Sequence, residues 1–352
     1  MLQITWKTLV GNRMIEEKKL VIYGASVSAQ SKEDSFWQRL KSWQYEQAKY
    51  QNAFWSVERL TFPSAFMSDA ALLNLDHVIA MKPDIVVLDW LSTEEQNCSF
   101  EKICHIYEEL CGRGINVITL AAVRLDTWDN VTLQYEACLK ISKLLKQSFL
   151  DMKVLAEQKG LTWKDLTRDG VHTSEAGAEI ISEAIIQEVF ERSSGNTNYI
   201  CREVSDSVLT VPQERQTISH HEIGKEVRIE EKQHLILKLH KDAGRSAQVW
   251  CLQTVGPYTP KIKCFIEGRV SEIVLFDQWC KFERFAFKPL SPEISSEIAG
   301  GFEVSLILTE DVLDNLLLKQ KIEQSSYCKG VMLRIHDRIS LVNCTLKGWE
   351  VV

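Results

Sequence analysis

An α/β domain followed by a β-sandwich is the architecture this 352-residue sequence predicts, on three observations. Residues 1–195 alternate short apolar runs with amphipathic stretches, the form a parallel sheet takes when helices cover both of its faces. A small polar run, Ser193-Ser194-Gly195-Asn196-Thr197-Asn198, then breaks the alternation and marks a domain boundary. Beyond it, in residues 200–352, strand-like runs follow one another with turn residues between them, as in a β-sandwich or jelly roll.

Taken in order, residues 18–24 read as a buried strand, because a continuous apolar run closed by a glycine suits a central parallel strand. Helical patterns at 34–43, 68–81 and 100–111 alternate with strand-like runs at 54–62, 84–90 and 116–122. One long segment, 131–158, follows. The last helix, 174–192, shows an apolar stripe at Ala176, Ile180, Ile181, Ala184 and Ile185. A sheet of about five strands results, and such sheets place their sites in the loops at the carboxyl ends of the strands.

In the second half, runs at 226–240, 246–255, 261–267, 271–276, 302–308, 330–335 and 340–346 read as strands, with a helical insertion at 310–323. Residues 276–285 concentrate aromatic and charged side chains and read as sandwich core with strand ends. His220 and His221 would point to opposite sides of an extended segment, which makes them a surface pair and not a metal site.

The net charge of −7 argues against a nucleic-acid partner. No window approaches the roughly 20 apolar residues of a membrane span, and residues 1–19 lack the apolar centre of a signal peptide. A cytoplasmic location with reduced thiols is therefore expected for the ten scattered cysteines. No CxxC pair or histidine cluster has zinc spacing, so neither metal nor cofactor is expected.

Chemistry concentrates at two places. The first strand runs into Gly24-Ala25-Ser26-Val27-Ser28, and Asp169-Gly170-Val171-His172 precedes the last helix. A serine hydroxyl is a weak nucleophile at neutral pH and needs a histidine base, itself oriented by a carboxylate. Ser26, His172 and Asp169 supply those three roles. Taken singly, a serine after a strand is as well explained as a helix cap, and Asp-x-x-His as an ordinary turn; the pair together favours catalysis. An α/β-hydrolase elbow is excluded, since Ser28 stands where its second glycine belongs.

The order and placement of these segments resemble the SGNH (GDSL) hydrolases over residues 18–192. The resemblance implies a flavodoxin-like three-layer α/β/α domain, with Ser26 in the first block and Asp169 and His172 in the last. Ala25 replaces the family's usual aspartate. The family's oxyanion glycine and asparagine have no counterpart here; Ser64 or Ala65 and Ser92 or Thr93 stand in those stretches, beside the backbone of Ser26 and Val27. The implied function is a cofactor-free serine esterase or deacetylase, with O-acetylated carbohydrate as the favoured substrate. A sugar O-acyltransferase using the same triad, or a non-catalytic glycan- or protein-binding protein, are the alternatives. The C-terminal domain is a candidate surface for a protein partner or homo-oligomer. Arg124, Asp126, Trp128 and Asp129 could line the same edge, although a solvated loop is the plainer expectation.

Overall fold

The first sheet forms around strands too apolar to face water. In the computed structural model, residues 7–10, 13–32, 35–47, 53–63, 65–93, 99–193, 195–203, 217–230, 233–255, 261–274, 284–308 and 332–352 are described. The chain divides into two units, Met1–Arg215 and Gln216–Val352.

In the first unit, β1 (Lys7–Val10) pairs antiparallel with the start of β2 (Arg13–Gly24). Strands β3 (Ala53–Thr61), β4 (Ile85–Asp89), β5 (Asn116–Ala121), β6 (Ser148–Asp151) and β7 (Tyr199–Ile200) complete a parallel array in the order β3-β2-β4-β5-β6-β7. The first five parallel strands have the flavodoxin-like order, whose switch point lies where the chain reverses direction across the sheet. Here that crevice opens at the carboxyl ends of β2 and β4.

Leu20 and Ile22 of β2 face one side and Val21 and Tyr23 the other, all fully buried. On the first side they join an apolar cluster with α1 (Phe36–Gln47) and α7 (Glu175–Ser193). On the second side lie α3 (Phe100–Gly112) and α4 (Leu133–Leu144), linked to β5 through Tyr107, Thr119 and Ser142.

A π-helical turn, Met67–Ala71, also packs there and is followed in the chain by α2 (Leu75–Ala80). The Tyr23 hydroxyl donates to the Ala71 carbonyl at 2.6 Å and lies 3.1 Å from that of Ala70, which also accepts from Asn74 N and Nδ2. Tyr23→Phe is expected to cost about 1–2 kcal/mol, because it removes the donor to the Ala71 carbonyl in the core. Urea denaturation checks this; an unchanged midpoint would show the bond to be worthless.

Segment 131–158 is divided: α4 stops, Ser148–Asp151 forms β6, and α5 (Met152–Gln158) follows. Lys146 makes the break by adopting φ 53°, unusual for a side chain other than glycine. The four residues of β6 are buried on both faces, and periodicity does not separate such a run from a buried helix. The polar run at 193–198 lies inside the first unit, because Tyr199–Ile200 pairs with β6 beyond it. The sheet therefore holds six parallel strands and the antiparallel β1, more than the five expected.

The second unit is a sandwich of antiparallel sheets. One has the order β13-β10-β15-β8 and the other β12-β11-β14-β9-β16. Their members are β8 (Ile218–Glu230), β9 (His234–Lys241), β10 (Gln248–Val255), β11 (Lys261–Ile266), β12 (Arg269–Val274), β13 (Arg284–Pro289), β14 (Gly300–Leu308), β15 (Met332–Val342) and β16 (Thr345–Val351). Leu235, Leu237 and Leu239 alternate inward from β9, and Phe302, Val304, Leu306 and Leu308 from β14, into one core.

The run at 226–240 resolves into parts of two strands, β8 and β9. The run at 330–335 falls on β15, which has a bulge between His336 and Arg338, and that at 340–346 spans the end of β15, the turn at Asn343 and Cys344, and the start of β16. Segment 310–323, and 276–285 apart from its last two residues, fall outside the described residues. His220 on β8 is exposed and its Nδ1 lies 3.0 Å from Ser340 Oγ.

Candidate active site

Strand β2 ends in Gly24 because nothing larger fits. A Cβ there would lie 2.7 Å from the Asp89 carbonyl and 2.7 Å from Ser28 Oγ. The chain then closes a single helical turn, with Ala29 N donating to Ala25 O at 3.1 Å. Val27 is sunk in the apolar cluster while Ser26 stays half-buried, so the turn is anchored by one side chain and presents the other. Ser28 is fixed from below: its N–H and hydroxyl both donate to Asp89 Oδ2, at 3.0 and 2.5 Å.

The second part is the loop before α7. Thr167 and Thr173 bridge its two ends, and Arg168 N donates to His172 O at 2.9 Å. Gly170 takes φ 88° at the tip, and Ser174 caps α7 by accepting from Gly177 N at 3.1 Å. Inside this frame Asp169 Oδ1 accepts from Val171 N at 3.1 Å and His172 N at 2.7 Å, while Oδ2 bonds His172 Nδ1 at 2.8 Å. Partial burial pushes the Asp169 carboxyl up, but the hydrogen bonds from His172 and Val171 together hold it below its usual value. An ionised Asp169 keeps the Nδ1 proton in place and leaves Nε2 as the basic atom.

The loops at this edge form a closed ring of hydrogen bonds. Phe62 N after β3 donates to Gly24 O at 3.0 Å, and Thr93 Oγ1 after β4 donates to Ala65 O at 2.8 Å. Arg124 after β5 donates to Ser92 O at 3.1 Å, and Leu125 N to Gly170 O at 2.7 Å. Gln30 Nε2 closes the circuit on Thr173 Oγ1 at 3.2 Å. From β3, Arg59 adds bonds to the carbonyls of Ser28 and Gln30 at 3.2 and 2.8 Å, with its guanidinium 4.8 Å over the Trp37 ring.

Ser26 and the Asp169–His172 pair thus stand on loops joined directly through Gln30. Among the described residues, Ser26 Oγ itself makes no hydrogen bond, and the N–H groups of Ser26 and Val27 have no acceptor. The side-chain donors considered from the middle blocks are turned elsewhere. Ser92 is buried and its hydroxyl reaches Asp89 O at 3.4 Å; Thr93 is engaged by the Ala65 and Trp90 carbonyls. Ala65 N bonds Phe62 O at 3.3 Å, and Ser64 lies outside the described residues.

Arg124 pairs with Asp126, holding that carboxyl low. Trp128 is half-buried, with Lys153 Nζ 5.2 Å from its ring and bonded to its carbonyl. Among the described residues no group of three or more histidines, cysteines or acids could hold a metal. None of the seven described cysteines is in a disulfide.

Sequence reasoning passed over Gln30, Arg59 and Asp89. Only Asp89 offered a signal, an acid ending an otherwise apolar strand; the other two act through tertiary contacts alone.

No family model matches the sequence, and no curated protein does either. Solved structures do match. A two-domain esterase active on acetylated mannans, co-crystallised with mannopentaose, shares 10% identity over 92% of this chain and 91% of that chain, with a TM-score of 0.64. A second crystal structure described in the same terms, without the oligosaccharide, gives 11% identity over the same shares and a TM-score of 0.56. The fold is therefore the one seen in that two-domain esterase, an α/β domain followed by a β-sandwich.

Proposed function

We propose that this protein is an SGNH-type serine esterase that removes acetyl groups from carbohydrate. The observation that carries the reading is the Asp169–His172 pair, held on a loop that Gln30 ties to the turn bearing Ser26. The esterase fold supports it, and the acetylated mannan acted on by the structurally similar protein suggests the substrate class.

In this mechanism His172 Nε2 takes the proton of Ser26 Oγ as the oxygen attacks the ester carbonyl. Asp169 stabilises the imidazolium formed. The N–H groups of Ser26 and Val27 receive the oxyanion, the sugar hydroxyl leaves with the proton from His172, and water releases acetate from the acyl-enzyme. The Ser26–His172 contact closes when substrate arrives, as hydrogen bonds that are long in a free enzyme often do.

The test is labelling by a fluorophosphonate probe. Wild type should be modified at Ser26, and Ser26→Ala should lose both the label and the release of acetate from acetylated mannan. Equal labelling of the two proteins would overturn the assignment.

A further inference from the structure

Asp89 is a buried acid that this mechanism does not use. It ends β4 on the face of Ile85 and Val87, both members of the apolar cluster, and is itself 0% exposed. Among the described residues only Oδ2 is engaged, by both donors of Ser28, and Oδ1 meets no hydrogen-bond donor. A half-satisfied carboxyl in an apolar setting costs stability, so a role in packing alone does not account for it.

We infer that Asp89 is the positioning residue of the nucleophile turn: its carboxylate draws both Ser28 donors together and so sets Ser26, and protonation slackens the turn. This rests on the esterase reading above. The chemistry is that of a charge-assisted bond. An ionised Oδ2 accepts two hydrogen bonds at once, whereas a protonated carboxyl holds both donors more weakly.

Burial pushes this carboxyl up to about 7, against the Ser28 N–H and the nearby hydroxyls of Ser28 and Ser92, which lower it. The groups acting on it are thus neutral hydroxyls and an N–H. Charged side chains on the helices over this face have partners of their own: Arg39 with Glu175, and Glu188 with Ser148 and Asn198. His172, on the neighbouring loop, is bonded to Asp169. The change from slack to set turn therefore falls near neutral pH.

The experiment follows kcat/KM for para-nitrophenyl acetate against pH in wild type, Asp89→Asn and Ser28→Ala. Wild type should lose activity on the acid side as Asp89 takes up a proton. Asp89→Asn should lack that contribution, with a plateau roughly tenfold lower for the lost charged acceptor. Ser28→Ala, which removes a bond favouring the charged form, should move the acid limb to higher pH, and it carries the test if Asp89→Asn fails to fold.

A second readout needs no activity. Because the folded carboxyl titrates above its unfolded value, its protonated form favours folding below that value, and the advantage fades as pH rises towards 7. The wild-type melting temperature should accordingly fall relative to Asp89→Asn between pH 5 and 8. Identical acid limbs in wild type and both variants would overturn the proposal. Absence of Ser26-dependent turnover in wild type would instead overturn the esterase reading, and an unchanged melting difference would then remove the titration of Asp89 as well.

Discussion

Replacing His172 by alanine is expected to lower kcat on acetyl esters by about three to five orders of magnitude, leaving KM nearly unchanged. The loss is that large because the base left on this loop is the Asp169 carboxylate, a far weaker base than an imidazole, whose Oδ1 still accepts from the N–H groups of residues 171 and 172. Asp169→Asn should cost less, about two to three orders. Its amide would donate to Nδ1 and force the proton onto Nε2, the wrong tautomer for a base. Water softens the loss, since the Asp169 side chain is 50% exposed.

The pH dependence distinguishes the members of the site. The Asp169 carboxyl is held below its usual 3.8, so its contribution is complete above that value and lost only as pH falls through the lower, folded one. Any acid limb near neutrality must come from other groups. Steady-state kinetics of purified variants are the measurement, and His172→Ala retaining a tenth of wild-type kcat would sink the assignment of the base.

Gly177→Ala should give the largest loss of stability, about 3 kcal/mol or more. A Cβ at this position would lie 2.1 Å from the Leu166 carbonyl oxygen, which is main chain and has no rotamer in which to escape. That oxygen accepts from Ser174 N at 2.9 Å, the residue capping α7. The displacement would therefore pry open the loop that presents Asp169 and His172, and turnover should fall along with stability. Calorimetry should show the first unit melting roughly 6–12 °C lower at a loss of this size. An unshifted transition would mean that α7 slides past α6 (Trp163–Leu166) without cost.

The fold was legible wherever hydrophobic periodicity had one interpretation. The last part of β2, from Leu20, and most of β4 and β5 are apolar runs with turn residues at their ends, and α7 announces itself through Ser174 and its apolar stripe. Strand β6 was not legible, because its boundary depends on the backbone of Lys146 and not on any residue preference. Strand β7 lay hidden beyond a polar run that looks like a linker but continues into the sheet.

At the site, Asp169 and His172 were readable because they are close in sequence and serve one another locally. Ser92 and Thr93 were not, since a hydroxyl in a loop looks the same whether it faces substrate or a neighbouring carbonyl. Gln30 and Arg59 bridge elements far apart in the chain, and no local pattern betrays such a partner.

The circuit of loop-to-loop hydrogen bonds has a consequence for how the site tolerates change. A circle cut once is still a chain: loss of the Gln30–Thr173 link leaves those two loops connected the long way round, through Gly24, Ala65, Ser92 and Gly170. A second cut divides it into separate pieces. Drift at single positions is therefore absorbed, whereas paired losses are felt together, and a rim of this kind can change one residue at a time without falling apart.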